Sequence, residues 1–147
     1  MADLIPVLQT AIGPVILISG IGLLLLTMTN RLGRVIDRAR LIGSELGQND
    51  DSARPALEAQ LRILWRRARL IRTSIALAAA SALAAALLII LIFLAAILAL
   101  PIPGLIAVVF TACMLFLIAS LAIFIHDINR SLAALRLELR AQGLDDV

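Results

Sequence analysis

The sequence predicts an all-α membrane protein with three transmembrane helices, a coiled-coil-like antiparallel cytoplasmic hairpin between the first two, and a cytoplasmic C-terminal helix. Three observations carry that reading. The chain of 147 residues is 62% hydrophobic with a mean hydropathy of +1.05, against roughly 45–50% apolar residues in soluble domains. Three uncharged apolar stretches each reach the roughly 20 residues needed to cross hydrocarbon. Between the first two, positions summing to 103 pair apolar with apolar: Leu32 with Ile71, Val35 with Ala68, Ala39 with Leu64, Ile42 with Leu61, Leu46 with Leu57. On both arms the apolar spacing alternates 3 and 4, the pattern of a helix that buries one seam. Residues 1–147 read as a single membrane domain.

The first span covers 5–28. Asp3 precedes it and Arg31, Arg34, Arg38 and Arg40 follow, the reverse of a secretion signal, so the span is expected to stay in the mature protein. Gly13, Gly20, Thr27 and Arg34 recur every seven residues, with Gln9, Ile16, Leu23 and Asn30 as a companion row. Small and polar groups on one stripe serve either close helix packing in lipid or a pore wall. As a pore, Gln9, Gly13, Gly20 and Thr27 would face water and Asn30, Arg31 and Arg34 would ring the mouth. Packing is the reading the composition favours, since Leu23 and Leu24 would form a dry constriction. Pro14 removes the amide that would bond Thr10 and follows Gly13, so the helix is expected to bend or restart there, with a gating hinge as the sharper alternative.

Residues 30–73 form the Arg-rich hairpin. They hold ten arginines against five carboxylates, a net +5, which places this segment in the cytoplasm. The tip lies at the polar break from Gly47 to Arg54, with Ser52 or Asp51 as cap and Pro55 in the first turn of the returning helix. Asp37 is placed to form an ion-pair clasp with Arg66 and Arg69 across the hairpin. Arg31, Arg34, Arg69 and Arg72 fall at headgroup depth, where lipid phosphate can accept their hydrogen bonds. Trp65 lies away from the membrane by register and suits protein packing or a partner surface better than an interfacial belt.

The second span covers 74–100, with Ser74, Ala78, Ala82 and Ala85 or Ala86 as a small-residue row, and the third covers 104–125. Leu100, Pro101, Ile102, Pro103 and Gly104 make a tight turn on the far side, which puts the N terminus outside and the C terminus inside. A third cytoplasmic helix over 126–142 follows, its Ile128, Leu132, Leu135 and Leu139 stepping by 4, 3 and 4, with Gly143, Asp145 and Asp146 closing it. His126 and Asp127 are the only His-carboxylate neighbours, and without a second His they suit an interfacial hydrogen bond better than a metal or relay site. Cys113, the single cysteine, reads as a small packing residue.

The run Leu8 to Leu26, then Thr29, Asn30, Arg31, Leu32, Gly33, Arg34, Val35, Ile36, Asp37 and Arg38, resembles a family of small bacterial membrane proteins known only as a domain of unknown function. Its signature is Asn-Arg followed by Arg-x-x-Asp-Arg, and the likeness extends over nearly the whole chain to Leu132, Leu135, Leu137 and Leu139. The resemblance implies a bacterial inner-membrane location and three spans. It brings no activity, cofactor or catalytic residue.

No phosphate-cradling glycine loop, metal-ligand spacing or nucleophile beside a base occurs in the chain, so an enzyme, a metal and a cofactor are not expected. All 13 basic residues are arginine, and topology accounts for them without a nucleic-acid partner. A thin two-helix hairpin gains stability by packing against the third helix or against copies of itself. The expected function is that of a homo-oligomeric membrane scaffold contacting anionic lipid headgroups. The alternative is a small, anion-tolerant oligomeric channel lined by the first span, and a further one is an accessory subunit of an unidentified protein partner.

Overall fold

A computed structural model of the chain describes the backbone of residues 4–47 and 54–141, and side chains from residue 11 to 131 within those ranges together with Pro6 and Gln9. It contains three helices, α1 (Leu4–Leu46), α2 (Arg54–Ile97) and α3 (Pro103–Ala141). Each span is continuous with the polar segment beside it. At about 1.5 Å per residue a helix of this size is twice the roughly 30 Å thickness of hydrocarbon. All three contain windows long and apolar enough to cross a membrane, with mean hydropathies of 2.3, 2.9 and 2.8, so the chain has the build of a multi-pass membrane protein. Their outward faces carry Leu23, Leu83, Ile90, Ile97, Val108 and Ile118, all well exposed. Lipid is the solvent that tolerates such a surface.

α2 lies between α1 and α3 and runs antiparallel to both. Its inner face is Ile71, Ser74, Ala78, Ser81, Ala85 and Leu88, spaced alternately 3 and 4. Small side chains there let both neighbours approach closely, which is how helices gain dispersion contacts in lipid. α1 contributes Ile21, Met28, Val35 and Ile42, buried at every seventh position. α3 contributes Cys113, Ser120 and Asp127 on the same period. The three helices meet around Ile21, Met28 and Ala78, against which Leu17, Leu25, Leu117, Leu121 and Phe124 pack.

Beyond the apolar windows α1 and α2 stay in contact. Val35, Ala39, Leu61, Leu64 and Ala68 line one cavity between the two helices, and Leu32, Ile36, Ala68 and Arg72 another. The predicted caps Asp51 and Ser52 and the closing Gly143, Asp145 and Asp146 lie outside the described residues. So do the side chains of Leu132, Leu135, Leu137 and Leu139.

Of the bend or restart expected at Pro14, the restart is corrected: α1 runs through Pro14 as one helix. The missing Pro amide removes a single backbone bond, which the turns on either side outweigh. The α2–α3 turn is shifted toward the N terminus: α2 ends at Ile97, and Pro103 and Gly104 open α3. Leu100 N–H bonds the Ala95 carbonyl at 3.0 Å, and Ala99 takes φ 49°, the 6→1 bond and left-handed residue of a Schellman C-cap. The Ile102 N–H bonds the Leu100 carbonyl at 3.0 Å around Pro101. Pro103 then occupies the first helical position, where no amide is required.

Candidate functional site

α1, α2 and α3 are tied together where the apolar windows give way to arginine. Asp127 is 1% exposed. An ionised carboxylate so buried is stable only with opposite charge close by, and each flanking helix supplies it. Arg31 Nε on α1 lies 3.2 Å from Asp127 Oδ2, and Arg67 Nε on α2 lies 3.6 Å from Oδ1. Ser131, one turn beyond Asp127, accepts a hydrogen bond from Arg31 Nη2 at 3.0 Å and another from Arg67 Nη2, while its own hydroxyl donates to the Asp127 carbonyl at 3.0 Å. The Arg31 guanidinium also sits 5.7 Å from the Phe124 ring centroid, a cation–π distance.

The clamp continues a polar seam within the bundle. Ser74 and Ser120, then Ser81 and Cys113, bond across α2 and α3, each level seven residues from the next on both helices. Arg67 and Asp127 occupy the third level of the same register. The seven-residue spacing of Cys113, Ser120 and Asp127 is the sequence signal for these positions, whereas His126, the chain neighbour of Asp127, is exposed.

A cleft of about 310 Å³ opens beside the clamp, lined by Arg31, Arg34, Val35, Arg38, Leu64, Arg67 and Ser131. On the other side of Arg67, a cavity of about 240 Å³ carries Arg66, Arg130 and Asp127. Of the predicted lipid contacts, Arg31 and Arg34 therefore share one cleft, whereas Arg69 and Arg72 line a separate pocket with Leu32, Ile36, Trp65 and Ala68.

Asp127 gathers two arginines, Arg31 and Arg67. Asp37, Arg66 and Arg69, the residues of the expected clasp, are exposed. Gln9, Gly13, Gly20, Thr27, Asn30 and Arg34 are all exposed, as are Ile16 and Leu23; the stripe from Gly13 to Asn30 lies outside the contact with α2 and α3, while Arg34 beyond it lines the cleft shared with Arg67 and Ser131. A Cβ added at Gly13 or Gly20 meets nothing within 4 Å. The Thr27 hydroxyl donates to the Leu23 carbonyl at 3.1 Å, which satisfies it within its own helix. Cys113 is buried and bonded to Ser81. Among the described residues no group of three or more His, Cys, Asp or Glu could hold a metal ion.

Compared with curated proteins and with solved structures, the chain matches none. The family described as protein of unknown function (DUF2721) matches residues 11–137, a range that holds the clamp, the Arg-lined cleft and all three apolar windows. The chain is a three-span membrane protein that belongs to this family.

Proposed function

We propose that the protein is a homo-oligomeric scaffold of a bacterial inner membrane, with its Arg-rich helices in the cytoplasm as an interaction platform. The observation that carries this reading is the outward stripe of α1: Gly13 and Gly20 have open space where a side chain would go. One chain has no packing use for their smallness. A second helix laid on that stripe would, because small residues allow backbones to come together and gain van der Waals contact in lipid.

The N terminus is then outside and the C terminus inside, since the arginines of residues 30–73 and Arg130 lie at one end of the bundle and positive charge stays on the cytoplasmic side. Arg69 and Arg72, exposed at that end, reach lipid phosphate. The scaffold reading is favoured over a channel because Ile16 and Leu23, 66% and 69% exposed, share the stripe. In a pore they would meet water.

Native mass spectrometry of the full chain extracted in mild detergent tests the reading, with Gly20→Leu as the variant. The wild type is expected as an oligomer and Gly20→Leu as a folded monomer. A monomeric wild type, or an oligomer unaffected at Gly20, would overturn it. Salt flux from liposomes carrying the wild type would favour the channel.

A further inference from the structure

We propose that the cleft lined by Arg31, Arg34, Arg38, Arg67 and Ser131 is a binding site for a phosphate group, carried by a lipid headgroup or as a free ion. Arg31, Arg34, Arg38 and Arg67 line a cleft of about 310 Å³, and Asp127, the acid paired with two of them, is buried at the Nε edges of Arg31 and Arg67. Set against Asp127 and the exposed Asp37 beside Arg38, the four arginines leave an excess of positive charge around the opening. Arg34 and Arg38 form no ion pair among the described residues.

Each guanidinium has five N–H donors, and the contacts to Asp127 and Ser131 use only part of the set on Arg31 and Arg67. Like charges held in one cleft repel, and the repulsion grows near the low-dielectric membrane boundary. An anion with several oxygens relieves it, and the planar Arg fork matches phosphate. Asp127 and Ser131 fix Arg31 and Arg67 in advance, so fewer rotamers need be ordered when the ligand arrives. The cleft lies within one chain, so the proposal holds whether or not copies assemble.

The test uses the full chain in nanodiscs of neutral phosphatidylcholine, with inorganic phosphate as the soluble probe, thermal unfolding as the readout and sodium chloride at equal ionic strength as the control. Phosphate is expected to stabilise the wild type saturably beyond chloride. The R34Q/R38Q variant, altered at two exposed positions, is expected to bind roughly tenfold more weakly or worse, the loss of a charge-assisted contact. R69Q/R72Q removes the same charge from another pocket and is expected to leave binding unchanged.

A second arm applies native mass spectrometry to protein taken from vesicles containing phosphatidylglycerol. Retained lipid that phosphate displaces, and that R34Q/R38Q fails to retain, identifies a headgroup as the source; phosphate binding without retained lipid identifies a soluble anion. The proposal is overturned if phosphate acts no differently from chloride and no lipid is retained, or if R69Q/R72Q weakens binding as much as R34Q/R38Q.

Discussion

Ser74 and Ser120 exchange hydrogen bonds across the bundle: Ser74 Oγ donates to the Ser120 carbonyl at 2.8 Å and Ser120 Oγ donates to the Ser74 carbonyl at 2.7 Å. Two turns deeper the exchange recurs, with Ser81 Oγ donating to the Cys113 carbonyl at 2.8 Å and Cys113 Sγ to the Ser81 carbonyl at 3.2 Å. All four residues are fully buried. In lipid such pairs set register, because sliding α3 by one turn would break these bonds where no water is present to replace them.

Ser120→Ala should destabilise the bundle by about 0.5–1.5 kcal/mol, since the carbonyls it serves keep their own helical bonds and no orphan is created. Ser120→Leu should do worse, by about 1–3 kcal/mol, through forced separation of the helices. Thermal unfolding of both variants in one detergent ranks them. Equal effects would mean that the seam is loosely packed.

The clamp should respond unequally to loss of its two signs. Asp127→Asn leaves Arg31 and Arg67, which are 21% and 33% exposed and retain access to water, so a loss of about 1–3 kcal/mol is expected. Arg31→Gln with Arg67→Gln strands a carboxylate that is 1% exposed, for which about 3–5 kcal/mol is expected. Adding Asp127→Asn to that pair should recover stability. Failure of the triple variant to exceed the double in unfolding temperature would contradict the electrostatic account.

Ala99 holds φ 49° at the end of α2. A Cβ in the left-handed region costs about 1–2 kcal/mol, which glycine avoids at some expense of unfolded-state entropy. Ala99→Gly should therefore raise stability by up to about 1 kcal/mol. A lowered melting temperature would show that the Schellman turn is not what closes the α2–α3 connection.

Cys113 has no exposed surface, so maleimide should label it in the unfolded chain and not in the folded protein. Cys113→Ser retains a donor toward the Ser81 carbonyl in nearly the same volume and should fold normally. That cysteine-free protein suits topology mapping. A cysteine at exposed Gln60 should react with impermeant reagent only from the cytoplasmic side.

The three helices and their length beyond the apolar windows were legible from composition and from the spacings of Leu32 to Leu46 and Leu57 to Ile71, because continuous apolar runs and heptads are local properties. The cluster around Asp127 was not legible in the same way. A carboxylate on a helix surface has several arginines within reach along the chain, whereas Asp127 meets Arg31 and Arg67 only after α1 and α3 come to rest on α2.

By itself the sequence determined how many rods there are, which stretches suit lipid and which end carries the positive charge. Only the tertiary structure decided which face of each rod looks inward. In water the apolar stripe would have answered that, but in lipid every face is apolar and hydrophobicity loses its direction. Two seven-residue rows of small and polar residues competed, Gly13–Gly20–Thr27 on α1 and Cys113–Ser120–Asp127 on α3. Packing buried the second and left the first outside because Ser, Cys and Asp find partners on α2, while the glycines bring no group that needs one.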